Sequence, residues 1–246
     1  MLNIHEVIRQ HHSKPQPYHK GSGRISVSSF GRCVRSVMLG LSGVPSGEFK
    51  PMIRECMSLG VLYENNTFEI LKAKWGDAIQ QDIVIGNEIW SGRMDFLLKE
   101  VASPPTIIEH KATGNSSWDY DGCLPRFEHV CQCWLYSQLY FEKYRVQPTV
   151  ILYYRAWGGH WASFELRNPT TMPVGVAAGW VDDKVVERYV PLEKLPERRK
   201  MFESAYAALP EIPEVPCTKP CDAYGCTFRG VEKSCGFYEQ CWGKKE

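Results

Sequence analysis

Apolar residues recur along this chain at two spacings, and the switches between them lay out its elements. After a polar start, Cys33, Val34, Val37, Met38 and Leu41 fall at helical intervals, with Ser28 or Ser29 placed to cap the helix. Over 51–75, Met52, Ile53, Met57, Leu62, Phe68 and Leu71 recur near a 3.6-residue period, which predicts a long helix ended by Gly76-Asp77. The period then drops to two. QQDIVIGNEIWSGRMDFLLKE reads as two strands joined at Gly86-Asn87, a hairpin signal. Ser103-Pro104-Pro105 turns the chain into a third strand, TIIEHKAT. Residues 114–125, rich in Gly, Ser, Asp and aromatics, read as loop, and 126–144 as a second long helix. TVILYYRAW and HWASFELR predict a further strand pair, and 191–208 a late helix. This order predicts an α/β sandwich, with the two long helices packed on a mixed central sheet.

Length adds a boundary. The 246 residues suit a main domain over 25–209 with two appendages. One is a flexible basic segment over 1–24. The other is a tail over 210–246, entered through Pro210, Pro213 and Pro216. A hydrophobic content of 43% and a charged content of 23% are those of a soluble globular protein. The net charge of +1 excludes a global basic field, so any nucleic-acid surface must be a local patch. No apolar stretch is long enough for a bilayer, and MLNIHEVIRQHHSK lacks the apolar core of a secretory signal. A cytoplasmic protein with no membrane role is expected.

Ten cysteines in such a chain do not suggest a disulfide framework. Cys217, Cys221, Cys226, Cys235 and Cys241 cluster in a tail of Gly, Pro and charge that offers little core to bury them. That clustering points to metal or iron–sulfur ligation. Cys56, Cys123, Cys131 and Cys133 read instead as small buried apolar residues.

The densest chemistry lies in the strands. Asp95 is followed by Glu109 and Lys111 inside an apolar run. Side chains alternate across a strand, so Glu109 and Lys111 share one face and His110 takes the other. Two carboxylates can hold a hard divalent cation, and the lysine can orient an attacking water and offset phosphate charge. Alone, the trio also fits ordinary charged strand ends. On the following helix, His129, Gln132 and Tyr136 share a face, a pattern that by itself suits a polar stripe.

Taken together these motifs resemble the PD-(D/E)XK superfamily. Within it they look like the RecB-like nucleases, and among those the CRISPR-associated iron–sulfur exonucleases and their phage relatives. Asp95 with Glu109-x-Lys111 matches the defining motif, and Gln132-x-x-x-Tyr136 matches the helix that follows. Counting from Gly60, Glu64 stands where the family carries a metal-binding His; Tyr63 is its neighbour. Ser26-Val27-Ser28 ahead of Cys33-Val34-Arg35 resembles the first cluster motif, with Val in place of Pro. Cys235-x5-Cys241-Trp242 resembles the last.

The resemblance spans 25–242 and implies a restriction-endonuclease-like core. It implies that Glu64, Asp95, Glu109 and the His110 carbonyl hold one or two Mg²⁺ or Mn²⁺ ions. Lys111 would position or help deprotonate the attacking water, Gln132 would bond near the site, and Tyr136 would reach the DNA backbone. Cys33, Cys226, Cys235 and Cys241 would hold a structural [4Fe–4S] cluster, with Cys217 or Cys221 as alternatives to Cys226. The same four thiolates would also suit Zn²⁺.

The implied substrate is DNA, as single-stranded ends. Arg24, Arg32, Arg35, Lys72, Lys74, Arg126 and Lys143 would line its path, and Trp118 and Tyr120 would stack on bases. No Gly-rich phosphate loop is present, so unwinding falls to a helicase or integrase partner. Recombination and repair, CRISPR spacer acquisition and phage DNA processing all suit such an exonuclease. The alternative classes are a catalytically inactive, cluster- or zinc-bearing DNA-binding subunit and a zinc-stabilised interaction module. The intact Asp95, Glu109 and Lys111 speak for an active enzyme.

Overall fold

Strand alternation and helix period are realised much as the sequence predicts in the computed structural model. It describes residues 23–44, 51–99, 103–114, 124–167, 175–211, 227–228 and 231–232. The helices are α1 (Val34–Leu41), α2 (Pro51–Trp75), α3 (Phe127–Tyr144) and α4 (Leu195–Ala207). The main sheet is formed by β1 (Ile25–Ser26), β2 (Ile79–Gly86), β3 (Trp90–Leu98), β4 (Thr106–Thr113), β5 (Thr149–Ala156), β6 (Trp161–Arg167), β7 (Gly175–Val181) and β8 (Lys184–Val190). Its order is β1-β3-β4-β5-β6-β7-β8, with β2 also paired to β3. β4 and β5 run parallel, as do β1 and β3, and the other pairs are antiparallel. The β4–β5 pair is parallel because α3 carries the chain back between them. Two short strands, β9 (Thr227–Phe228) and β10 (Val231–Glu232), pair with each other.

Helices cover both faces of the sheet. On one face Phe68, Leu71 and Trp75 of α2 pack on Ile79, Phe96, Leu98 and Ile108. The other face carries the larger core, in which α1, α3 and α4 close over β1, β3 and β5. Its centre is aromatic: Phe30 lies 5.5 Å from Trp90 and 5.6 Å from Phe202, both edge-on. Each such buried ring contributes roughly 2–3 kcal/mol through area alone. Among the described residues no helix is long and apolar enough to cross a membrane.

The β2–β3 hairpin changes sides partway along. Ile83, Ile85 and Met94 belong with the larger core, whereas Ile79, Phe96 and Leu98 belong with the α2 cluster. Strict alternation cannot put Met94 and Leu97 on one face, yet both are in the larger core. The roll occurs where Asp82, at φ 60°, stands between the pairs Gln81–Phe96 and Ile83–Met94. By that register Asp82 is opposite Asp95. A left-handed conformation is one that Asp tolerates better than most residues. Below this point β3 pairs with β4; the pairing runs only over Phe96–Leu98. Asp95 therefore sits where two neighbouring strands part.

Four expectations are corrected. β7 and β8 form a hairpin turning at Asp182-Asp183 that the apolar pattern does not announce. Ser28 and Ser29 lie in a 3₁₀ turn, and Cys33 occupies the N-cap of α1 without a side-chain cap bond. The periodic apolar stripe of α2 is only half used, with Met57 60% and Leu62 64% exposed. Cys56 is exposed on that helix, whereas Cys131 and Cys133 are buried as read. The hairpin turn does follow Gly86-Asn87, through the Asn87 side chain: its Oδ1 accepts the N–H groups of Ile89 and Trp90 at 3.0 and 2.9 Å.

Candidate functional site

Where β3 leaves β4, the sheet leaves an N–H of β4 without a strand partner, and Asp95 takes it. The His110 N–H donates to Asp95 Oδ2 at 2.7 Å, a short bond of the charge-assisted kind. On the α3 face, Glu109 Oε1 accepts from Lys111 Nζ at 2.5 Å and from Gln132 Nε2 at 2.6 Å. Glu109 is 1% exposed, and its other oxygen, Oε2, is buried without a donor among the described residues. The Asp95 and Glu109 carboxylates are near enough for the Glu109 charge to raise the Asp95 pKa. Asp95, Glu109, Lys111 and Gln132 thus converge, and His110 points its ring to the opposite face.

Charge explains the ionisation of this group. Burial, then the Glu109 charge, pushes Asp95 up to about 8 against the pull of Lys111 and the His110 N–H. Burial also raises Glu109 against the pull of Lys111. For Lys111, burial works against the ammonium, but Glu109 and Asp95 outweigh it and hold it charged above the usual lysine range. Above about pH 8 the two buried carboxylates leave a negative excess against one cation, whereas below it a bound proton offsets one of them; Glu109 Oε2 has no hydrogen-bond partner among the described residues. That is a donor set suited to a hard divalent ion.

Glu64 enters through its field. It sits on α2, and burial, then Asp95 and Asp82, raise its pKa, while a Gln81 hydrogen bond and Arg93 oppose the rise. Among the described residues no three His, Cys, Asp or Glu side chains stand together as a ready cation cage. Glu64 is near enough to the pair for Asp95 to raise its pKa and for its own charge to raise that of Glu109. The His110 ring meets Thr67 Oγ1 at 3.3 Å, and burial first holds its pKa down at about 4. It is a neutral spacer under α2, so only its main chain belongs to the site.

Tyr136 departs from the reading that it reaches DNA. It is 2% exposed; its hydroxyl donates to the Arg93 carbonyl at 2.7 Å and accepts the Arg93 N–H at 3.2 Å. Gly92 leaves room for the ring, since a Cβ there would lie 2.6 Å from Tyr136 Cε1. The tyrosine holds β3 to α3 two residues before Asp95.

Two residues here carry no sequence signal singled out above. Arg155 Nη1 donates to Asn66 Oδ1 at 2.7 Å, and its guanidinium lies 4.9 Å from the Tyr63 ring, which pins α2 beside Glu64. Tyr154, the register partner of Lys111, faces α3. Their signal is only the alternation of β5. Of the basic residues, Lys72 pairs with Asp77 at 3.8 Å, Lys143 lies over Tyr144, and Arg24 donates to the Asn87 carbonyl. Cys33 is buried. Cys123, Cys217, Cys221, Cys226, Cys235, Cys241, Trp118 and Tyr120 lie outside the described residues.

No family model matches the chain, and no curated protein matches it. A solved structure, "Crystal structure of SSO0001", is similar to it at 18% identity, covering 85% of each chain with a TM-score of 0.44. That likeness is too loose to carry fold or function.

Proposed function

We propose that this chain is a metal-dependent phosphodiester hydrolase acting on DNA, as an exonuclease on single-stranded ends. The observation that carries the reading is the buried Asp95–Glu109 pair, held by Lys111 and Gln132 at the point where β3 and β4 part. Its sheet and flanking helices are read as a restriction-endonuclease-like core. Asp95 and Glu109 would hold Mg²⁺ or Mn²⁺, with the His110 carbonyl and Glu64 as further ligands. With a divalent ion held there, the site would lower the pKa of a water and draw charge from the phosphate.

The protein's own groups do the rest. In the ion-free protein Glu109 and Asp95 hold Lys111 charged, so there it can orient the water or the phosphate as a donor. Gln132 fixes Glu109 Oε1 and leaves Oε2 for the ion. Tyr136 holds the strand that presents Asp95. The tail cysteines Cys226, Cys235 and Cys241, with Cys33, are assigned a structural [4Fe–4S] cluster, for which Zn²⁺ is the other occupant. Strand separation or integration is left to a partner protein, in recombination and repair, spacer acquisition or phage DNA processing.

The test is digestion of end-labelled single- and double-stranded DNA with Mn²⁺. The parent should degrade the single strand; Lys111→Ala should be slower by on the order of 100-fold or more while binding DNA comparably. Full rate in Lys111→Ala sinks the assignment. For the tail, iron and sulfide should be found after anaerobic purification and be lost in Cys33→Ser; a colourless zinc protein would replace the cluster in this account.

A further inference from the structure

At the first turn of α3 a hydrogen-bond chain runs beside the site and has no part in the function proposed above. The Tyr154 hydroxyl accepts the Arg126 backbone N–H at 3.0 Å and lies 2.9 Å from His129 Nδ1. Tyr154 is 1% exposed, and its hydroxyl meets no other partner among the described residues. Two proton arrangements fit the His129 contact. With the proton on Nδ1, His129 donates, and the Tyr154 proton is left buried without an acceptor, which is costly. With Tyr154 donating to Nδ1, both groups are satisfied. That arrangement puts the histidine's proton on Nε2.

The position of the ring follows from the register. His129 is one turn before Gln132, on the helix face that meets Glu109. Tyr154 pairs with Lys111 across β4 and β5. The ring is thus on the site's face, level with Lys111. The groups around it are Tyr154 of β5, Lys111 of β4 and Arg126 of its own helix. Burial first, then Lys111 and Arg126, holds its pKa well below the ordinary histidine value, so the ring is neutral. Its Nε2 has no protein partner among the described residues.

We propose that His129 is a fixed neutral donor whose Nε2–H binds a phosphodiester oxygen of the substrate, with Tyr154 as the positioning residue that sets its tautomer. The proposal rests on the hydrolase reading and names one of its substrate contacts. A ring with Nδ1 engaged and Nε2 protonated has no free lone pair for a metal ion or a proton. What it offers is a directed N–H beside an ammonium, and the complement of that pair is an anionic oxygen.

Three variants test it: His129→Ala, His129→Gln, whose amide reaches the place of Nε2, and Tyr154→Phe. Cleavage of an end-labelled single-stranded oligonucleotide with Mn²⁺ is followed from pH 6 to 8.5, with thermal melts as a check on folding. His129→Ala should be slower by roughly 10- to 100-fold, by the same factor at every pH, and His129→Gln should recover most of the rate. In the free protein, long-range ¹⁵N–¹H spectra should show the Nε2–H form of His129, and Tyr154→Phe should mix in the other tautomer. That spectrum carries the tautomer even if His129→Ala fails to fold. Undiminished cleavage by His129→Ala, a pH-dependent loss, or an Nδ1–H ring in the parent overturns the proposal alone. A parent that cleaves no DNA overturns the hydrolase reading and this contact with it.

Discussion

Asp95→Asn should make the ion-free protein more stable, and increasingly so as pH rises. In the folded chain Asp95 keeps a proton up to about pH 8 because of burial and the Glu109 charge. Unfolded, Asp95 releases it near the ordinary aspartate value of 3.8. Between those values the folded state binds more protons than the unfolded state, so the parent loses stability as pH rises. At about 1.4 kcal/mol per pH unit, the full span costs on the order of 5 kcal/mol above pH 8 and nothing below pH 4. Asparagine keeps an oxygen for the His110 N–H and supplies an N–H₂ near Glu109, whose Oε2 lacks a donor among the described residues. Urea unfolding in EDTA at pH 4.5, 6.5 and 8.5 measures this directly. The advantage of Asp95→Asn should be small at the first pH and several kcal/mol at the last. Adding Mg²⁺ or Mn²⁺ at pH 8.5 should raise the parent's melting temperature and leave the variant unchanged. An advantage that does not grow with pH, or a variant less stable than the parent at pH 8.5, refutes the reasoning.

Other predictions concern the support of the site. Tyr136→Phe removes the partner of both the Arg93 carbonyl and its N–H; it should cost about 1–3 kcal/mol in urea unfolding, and a neutral result would show water replacing the hydroxyl. Gly92→Ala drives a Cβ to 2.6 Å from Tyr136 Cε1 and 2.8 Å from Val27 Cγ2. It should cost roughly 1–3 kcal/mol and slow DNA cleavage by displacing Tyr136; unchanged melting and rate would show that the ring shifts freely.

Elements whose apolar residues meet a partner were legible. The alternation of 79–98 and 106–113 and the period of 127–144 name their strands and helix correctly, because each buries one face or both. β7 was not legible, since the face it turns to the larger core carries only Ala177, Gly179 and Val181. The sheet needs the glycine there: a Cβ would fall 1.8 Å from the Ser163 carbonyl oxygen. The α2 stripe misled in the other direction, because a period shows that a face is apolar and not that anything covers it. At the site, strand alternation was enough to put Glu109 with Lys111 and to send His110 away. It gave no hint of the roll at Asp82, which depends on one backbone angle, nor that Tyr136 turns inward to Arg93, which depends on how closely α3 approaches Gly92. Tyr154 and Arg155 look like any alternating strand residues until α3 and α2 are laid over them.

The half-turn that β2 and β3 make together at Asp82 ties the spelling of a distant loop to the placement of an acid. Both strands must invert at the same rung, and that rung is counted off from the Asn87 bend. Lengthening the bend by one residue would set the inversion of one strand a step out of phase with its mate. Ile83 and Met94 would then be directed to water, and Asp95 would no longer meet the His110 amide. The hairpin tip is in this sense a ruler for the carboxylate.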